Sequence, residues 1–170
     1  DELLAVLDEL GVPTGETKAR ALVHRDGDWH RSFHLWIIKA GPHVLLQRRS
    51  HKKDLEPNKL DVTVGGHFGA GETLLEVVRE VEEEIGLSVE LKDLYYLETR
   101  QGERHYENAI DREFVDVYAL RCDQGLEQYY LRCDEVSVLY EVPLDKAIDL
   151  YEKGEFVAVY GYDCQQRTNN

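Results

Sequence analysis

The chain has 170 residues, a formal net charge of −14 and 42% hydrophobic residues. This length suits a single domain with a buried core, expected over residues 1–170. The negative charge argues against binding to nucleic acid polymers or anionic membranes. It does not exclude a small phosphorylated substrate, because metal ions and a local basic patch can bind phosphate. No apolar run approaches the roughly 20 residues of a membrane span, and no signal-peptide pattern is present, so we expect a cytoplasmic protein.

The cysteines support the same compartment. Cys122, Cys133 and Cys164 are odd in number and lack metal-ligand spacing, so we expect reduced thiols. The sequence contains no Met, and its natural start is therefore expected to differ from Asp1. No pattern indicates an oligomeric state.

In chain order, short apolar and alternating segments predict strands, and two segments have helical periodicity. Strands are predicted at residues 19–24, 30–39, 44–49, 60–66, 91–100, 113–122 and 135–142, the second and third forming a hairpin around residues 40–43. Helices are predicted at 73–85 and 144–153, and residues 101–111 are predicted to form a loop over the site. Strands and helices in this order favour an α/β fold with a mixed sheet between helices.

The first predicted helix has one apolar and one acidic side. Its apolar stripe consists of Leu74, Val78, Val81 and Ile85, and Glu76, Glu80, Glu83 and Glu84 lie on the opposite half. Like charges at these spacings repel one another, whereas a hard divalent cation needs several such oxygen ligands. Gly86 is placed to end the helix. The pattern favours a metal site.

The same segment carries a family signature. Gly66, five residues and Glu72 are followed by Arg79–Leu87 in the pattern R-E-U-x-E-E-x-G-U, where U is a bulky aliphatic residue. This resembles the Nudix hydrolases, in which the corresponding pattern has seven residues between the first Glu and the Arg; here there are six. The resemblance implies a Nudix α/β/α sandwich. It also implies Mg²⁺, with Mn²⁺ as the alternative ion, held by Glu80, Glu83 and Glu84.

Further roles follow from this resemblance and from the chemistry. Arg79 is expected to orient the glutamates through an ion pair; the alternative is a surface pair with Glu83. Glu83, Glu80 and Glu113 remain alternatives for the base that activates water. The basic residues before the signature, Arg48, Arg49 and Lys53, are expected to bind the substrate phosphates.

A second resemblance covers most of the chain. The order of Gly11–Gly15, Leu22–His24, Leu46–Ser50 and Val64–His67 is similar to the isopentenyl-diphosphate isomerase branch of the Nudix superfamily, particularly its hydrolase members. It implies a second divalent metal at His24, His30, His67, Asp111 and Glu113, residue types suited to a mixed nitrogen and oxygen site. The isomerases have a cysteine where this chain has Gly65, which argues against isomerisation.

Three functions are therefore considered. The first is a Mg²⁺-dependent hydrolase of the phosphoanhydride in a nucleoside di- or triphosphate or a related diphosphate. The second is an isopentenyl-diphosphate isomerase. The third is a nucleotide-binding module without catalysis. Metal-dependent turnover separates the first from the third, and conversion of isopentenyl to dimethylallyl diphosphate tests the second.

Overall fold

A mixed sheet of ten strands forms the framework of the protein in this computed structural model, which describes residues 2–154, 158 and 160–166. The strands are β1 (Leu3–Leu7), β2 (Pro13–Ala19), β3 (Trp29–Lys39), β4 (His43–Arg49), β5 (Leu60–Val62), β6 (Val64–His67), β7 (Leu94–His105), β8 (Ile110–Arg121), β9 (Val136–Pro143) and β10 (Tyr160–Asp163). The main path runs β10-β9-β4-β3-β1-β2. β3 pairs in parallel with β8, which also pairs antiparallel with β7.

Among the described residues, four α-helices accompany the sheet: α1 (Arg20–Asp26), α2 (Leu74–Val77), α3 (Arg79–Ile85) and α4 (Leu144–Lys153). Val77, Val81 and Ile85 are fully buried and pack in one cluster with Phe33 and Leu35 of β3. The apolar side of the predicted helix thus faces the sheet. The expected α/β architecture with a mixed sheet is confirmed. No helix among the described residues is both long enough and apolar enough to cross a membrane.

The predicted helix at 73–85 is divided into α2 and α3 at Val78. The Val81 amide donates to the Val78 carbonyl at 3.1 Å, a three-residue spacing that marks a tighter turn. Glu76 lies on α2, where its carboxylate accepts a 3.4 Å hydrogen bond from the Thr73 amide. Glu76 therefore belongs to the start of the helix and not to the acidic face of α3.

Three other segments differ from the sequence prediction. The segment at 19–24 is mostly helix α1, because a short apolar run does not distinguish a strand from a buried helix turn. The predicted loop at 101–111 is largely a hairpin of β7 and β8, closed by the Tyr106 amide donating to the Ala109 carbonyl at 2.8 Å. The strand at 60–66 is interrupted at Thr63, whose hydroxyl accepts a 3.0 Å bond from the Ile37 amide.

The prediction of three reduced thiols is wrong for two cysteines. Cys133 and Cys164 form a disulfide, and Cys122 is free. The two bonded residues are 31 positions apart. Antiparallel pairing of β9 with β10 brings the segment before β9 close to the turn after β10. That proximity depends on tertiary pairing, which cysteine spacing does not reveal.

Candidate active site

Strands β3, β6 and β8 share one face of the sheet that forms the floor of a large cavity. Ser32 and His34 of β3 pair with His67 and Gly65 of β6, and on the other side Ser32 pairs with Val115 of β8. Side chains of paired residues project to the same face. The cavity has a volume of about 620 Å³, and α1, α3 and residues 53–61 complete its walls.

The structure brings together the five residues of the expected second metal site. Ligand atoms of His24, His30 and His67 lie within 4.8 Å of one another, as do those of His30, Asp111 and Glu113. Nε2 of His30 is 3.3 Å from Oδ1 of Asp111 and 4.0 Å from Oε2 of Glu113. His30 thus joins the two groups into one cluster.

Within the part of the chain that the structure describes, several buried atoms of this cluster have no hydrogen-bond partner. They are Nε2 of His24, Nε2 of His30 and Oδ1 of Asp111. Nδ1 of His30 lies 3.1 Å from the Asp28 carbonyl, which can only accept, so Nδ1 carries the hydrogen. In a neutral ring the Nε2 lone pair then faces the Asp111 carboxylate. Burying these nitrogen and oxygen atoms without a partner is unfavourable. A divalent cation bound between them would give each of them a partner.

The electrostatics agree with ligand chemistry, because metals bind neutral imidazole. Burial, followed by repulsion from His30 and Arg20, lowers the pKa of His24 to about 4. Burial likewise lowers the pKa of His67 well below its usual value. Burial raises the pKa of Glu113, and the Asp111 carboxylate adds to this effect. The residues present fit a mixed histidine and carboxylate metal site.

The glutamates of α3 form a second acidic group on the cavity wall. Glu80, Glu83 and Glu84 all line the cavity; Glu83 is exposed and the other two are half-buried. Burial, followed by repulsion from Glu2 and other carboxylates, raises the pKa of Glu80 to about 7. Burial, followed by repulsion from Glu135, raises the pKa of Glu84 to about 8. A bound cation would stabilise the negative charge of these carboxylates, which burial and repulsion oppose. Their oxygen atoms are ligands suited to Mg²⁺.

Two glycines allow close contacts around α3. A Cβ atom built on Gly66 would lie 2.0 Å from Oε2 of Glu80, so only glycine leaves room for that carboxylate. At the end of α3, Gly86 has φ +71°, and a Cβ there would lie 2.8 Å from Cβ of Tyr130. Glu72 has a different position: its Oε1 accepts a 2.6 Å bond from the Gly69 amide and holds the glycine turn.

The basic residues expected to bind phosphate lie in different environments and contact different partners. Lys53 lines the cavity and forms an ion pair with Glu135. Arg49 also lines the cavity, but its guanidinium donates to the Leu55 and Glu56 carbonyls and pairs with Asp61 at 3.2 Å. Arg49 therefore fixes the segment between β4 and β5.

Arg48 and Arg79 lie outside the cavity lining. Nε of Arg48 donates to the Tyr140 hydroxyl at 3.2 Å, and Nη1 donates to the Asn58 carbonyl at 2.9 Å. The structure thus gives Arg48 a packing role and does not place it where the expected phosphate contact would form. Arg79 is exposed, and within residues 2–154, 158 and 160–166 it forms no ion pair, including the expected one with the glutamates.

Several cavity residues were missed by the sequence analysis. Arg132 and Glu135 come from the segment before β9, which is tied to α3 because the Arg132 amide donates to the Glu84 carbonyl at 2.8 Å. Glu2 precedes β1, and Arg20 begins α1. None of them belongs to a motif, and only the tertiary fold places them in the cavity lining.

Comparison with known proteins identifies the family. The sequence model of the protein family described as NUDIX domain matches residues 28–163 of this chain. The chain belongs to this family. Both the glycine turn and the α3 glutamates lie inside the matched Nudix region.

Individual relatives agree with this assignment. The chain is 39% identical over 125 residues to Nudix hydrolase 3 of Arabidopsis thaliana, an alignment that covers 71% of this chain but only 16% of that protein. It is 28% identical over 127 residues to the isopentenyl-diphosphate Delta-isomerase of Escherichia coli, with 74% of this chain and 70% of the isomerase covered. The solved structure of DR0079 from Deinococcus radiodurans has the same fold, with a TM-score of 0.66 at 23% identity, covering 92% of this chain and 93% of that one.

Proposed function

We propose that this Nudix protein is a Mg²⁺-dependent hydrolase that cleaves the phosphoanhydride of a nucleoside di- or triphosphate or a related diphosphate, with Mn²⁺ as the alternative ion. The observation that carries the proposal is the pair Glu80 and Glu84. Burial, together with repulsion from neighbouring carboxylates such as Glu2 and Glu135, raises the pKa values of these two groups to about 7 and about 8 beside a large polar cavity. A fold keeps such an unfavourable arrangement where a function needs it.

Glu80, Glu83 and Glu84 are the residues that would hold the ion. Bound Mg²⁺ would neutralise phosphate charge and lower the pKa of water. Two cations that line the same cavity would bind the phosphates: Lys53, which is paired with Glu135, and Arg132, whose amide donates to the Glu84 carbonyl at the end of α3. Because anionic phosphates also attract the ammonium of Lys53, a bound substrate competes with Glu135 for it.

Glu83 is our candidate for the base. It is the exposed member of the three glutamates and faces the cavity, where water has access. In the proposed reaction a water oxygen bonds to phosphorus, the bridging phosphoanhydride bond breaks towards the leaving phosphate, and the water proton passes to the Glu83 carboxylate.

The cluster of His24, His30, His67, Asp111 and Glu113 would hold a second divalent ion. Its unpaired buried nitrogen and oxygen atoms support this assignment. Because it borders the same cavity as the α3 glutamates, its cation would add positive charge near the phosphates. Titration of metal-free protein with Co²⁺, followed by visible absorption, tests the site independently of turnover, and His30→Gln is expected to remove the signal.

The primary test is phosphate release with Mg²⁺ or Mn²⁺ across nucleoside di- and triphosphates, dinucleoside polyphosphates and nucleotide sugars. Glu83→Gln is expected to lower kcat at least about 100-fold, the scale of a lost general base. Glu82→Gln is the matched control, since Glu82 is an exposed neighbour on α3 that does not line the cavity. Equal activity of the two variants would reject the assigned role of Glu83. Absence of turnover by metal-loaded protein would favour the binding module.

One observation favours isomerisation as a second candidate function: the histidine and carboxylate cluster has the residue types expected from the isomerase branch. Gly65 opposes it, because it provides no proton-transfer group at the position of the isomerase cysteine. Incubation with isopentenyl diphosphate and detection of dimethylallyl diphosphate by NMR decides between the two. Isomerisation in the absence of phosphate release would replace the hydrolase proposal.

A further inference from the structure

His34 lies on the floor of the cavity but belongs to neither acidic group. It is on β3, where it pairs with Gly65 of β6 and with Val117 of β8. Its neighbours across the strands therefore supply no polar side chain. His34 lines the cavity and is half-buried.

The imidazole of His34 has unused hydrogen-bonding capacity within residues 2–154, 158 and 160–166. In the described part of the chain it forms no side-chain hydrogen bond, although the charges of Asp61, Glu113 and Arg100 act on it. Burial is the main cause that lowers the pKa of His34. In its neutral form an imidazole offers one donor and one acceptor.

Gly65 leaves the edge of this ring open. A Cβ atom built on Gly65 would lie 3.4 Å from Cδ2 and 3.7 Å from Nε2 of His34, which is ordinary contact. A larger side chain would extend from that point along the ring edge. Because Gly65 has none, the space beside Nε2 belongs to the cavity, and a bound molecule can reach it.

His34 lies where it can contact the group that is attached to the phosphates of a substrate. Side chains on one face of a strand recur every two residues, about 6.7 Å apart. His34 lies one such step beyond Ser32, which pairs with His67, and two steps beyond His30. Asp61, Leu60 and Arg100 also line the cavity. A diphosphate held near His67 and Glu80 would therefore direct its attached group towards His34.

We propose that His34 is a specificity-determining residue that hydrogen-bonds a polar, uncharged group, such as a sugar hydroxyl or the edge of a nucleobase, attached to the diphosphate. This inference rests on the proposed function. An isoprenoid chain in the same place would cover the imidazole without giving it a partner, and an unpaired buried polar group is costly. Sites built around such a hydrogen bond discriminate strongly against analogues that lack it.

The test compares a nucleotide sugar with inorganic diphosphate, which shares the phosphate contacts but has no attached group. His34→Leu is expected to lower kcat/KM for the best nucleotide sugar at least about 10-fold, the value of one hydrogen bond of this kind. The inhibition constant of inorganic diphosphate should stay within twofold. His34→Gln, which keeps a donor and an acceptor, should recover part of the loss. His43→Gln is the matched control, because His43 is a half-buried histidine of β4 outside the cavity lining.

Each result has a definite meaning. A selective loss in His34→Leu with unchanged diphosphate inhibition supports the inference. Equal effects on both ligands, or no effect on either, overturns it while the hydrolase proposal stands. If the wild-type protein hydrolyses none of the diphosphates, the proposed function fails and this inference fails with it. Circular dichroism of both His34 variants shows whether the fold is retained, and His34→Gln provides the answer if His34→Leu does not fold.

Discussion

Replacing Glu84 by Gln is expected to stabilise the metal-free protein at alkaline pH. Glu84 is half-buried at the end of α3, and its charge is opposed first by burial and then by Glu135 and Glu80. A glutamine of nearly equal size has no charge to desolvate. The change therefore removes an unfavourable electrostatic contribution and leaves the packing in place.

The sign and size follow from the pKa of Glu84, which rises from 4.5 in the unfolded chain to about 8 in the fold. A raised pKa contributes stability that is fully present below pH 4.5 and is lost as the pH rises through 8. The complete loss corresponds to about 5 kcal/mol at 1.36 kcal/mol for each pKa unit. Partial exposure reduces this value, so we expect Glu84→Gln to gain about 2–4 kcal/mol over the wild type at pH 9 and almost nothing at pH 4.5.

Urea denaturation in EDTA at pH 4.5 and pH 9 measures both quantities. Addition of Mn²⁺ at pH 8 should stabilise the wild type, by about 2.7 kcal/mol at 100 times Kd, and should stabilise Glu84→Gln less. Glu82→Gln, an exposed neutralisation on the same helix, controls for the change in net charge. A variant that is no more stable than Glu82→Gln at pH 9 would refute the reasoning that burial of the Glu84 charge opposes folding.

Three further predictions concern other parts of the site. Gly66→Ala should reduce kcat at least about 10-fold, because the new Cβ would lie 2.0 Å from Oε2 of Glu80 and must displace that carboxylate. The circular dichroism spectrum should be unchanged. Between pH 6.5 and pH 4, acid should destabilise the metal-free wild type relative to His24→Gln by up to about 3 kcal/mol. The pKa of His24 is lowered to about 4, and the stability that this shift contributes is lost as the pH falls. Parallel urea titrations of the two proteins measure the difference in the free energy of unfolding. Lys53→Ala should raise KM about 10-fold, whereas Arg48→Ala should leave KM unchanged, because of these two residues only Lys53 lines the cavity. Equal KM values of the two variants in a steady-state assay would contradict the assignment of Lys53 to phosphate binding.

The sequence predicted the parts of the site whose spacing is local. Glu80, Glu83 and Glu84 follow one helical pattern with Val81 and Ile85, so burial of the apolar residues turns the carboxylates towards the cavity. The five residues of the histidine and carboxylate cluster were found through a family resemblance, because they come from separate elements and share no periodicity.

The residues that could not be predicted owe their positions to tertiary contacts. Arg132 and Glu135 reach the cavity because backbone hydrogen bonds join their segment to α3. Arg49 was predicted to bind phosphate from its charge alone, but its guanidinium donates to the Leu55 and Glu56 carbonyls and to the Asp61 carboxylate. Charge in a sequence indicates what a side chain can bind and does not show which partner the fold provides.

The shortened signature illustrates how local and tertiary effects combine. Six residues separate Glu72 from Arg79, and the helix breaks at Val78 within this region. Downstream of the break, the orientation of α3 is fixed by burial of Val81 and Ile85. It is also fixed by the Tyr130 and Arg132 amides, which donate to the carbonyls of Ile85 and Glu84 at 3.0 and 2.8 Å. A change of one residue before the break therefore alters how α2 meets α3, while the glutamates of α3 keep their place on the cavity wall.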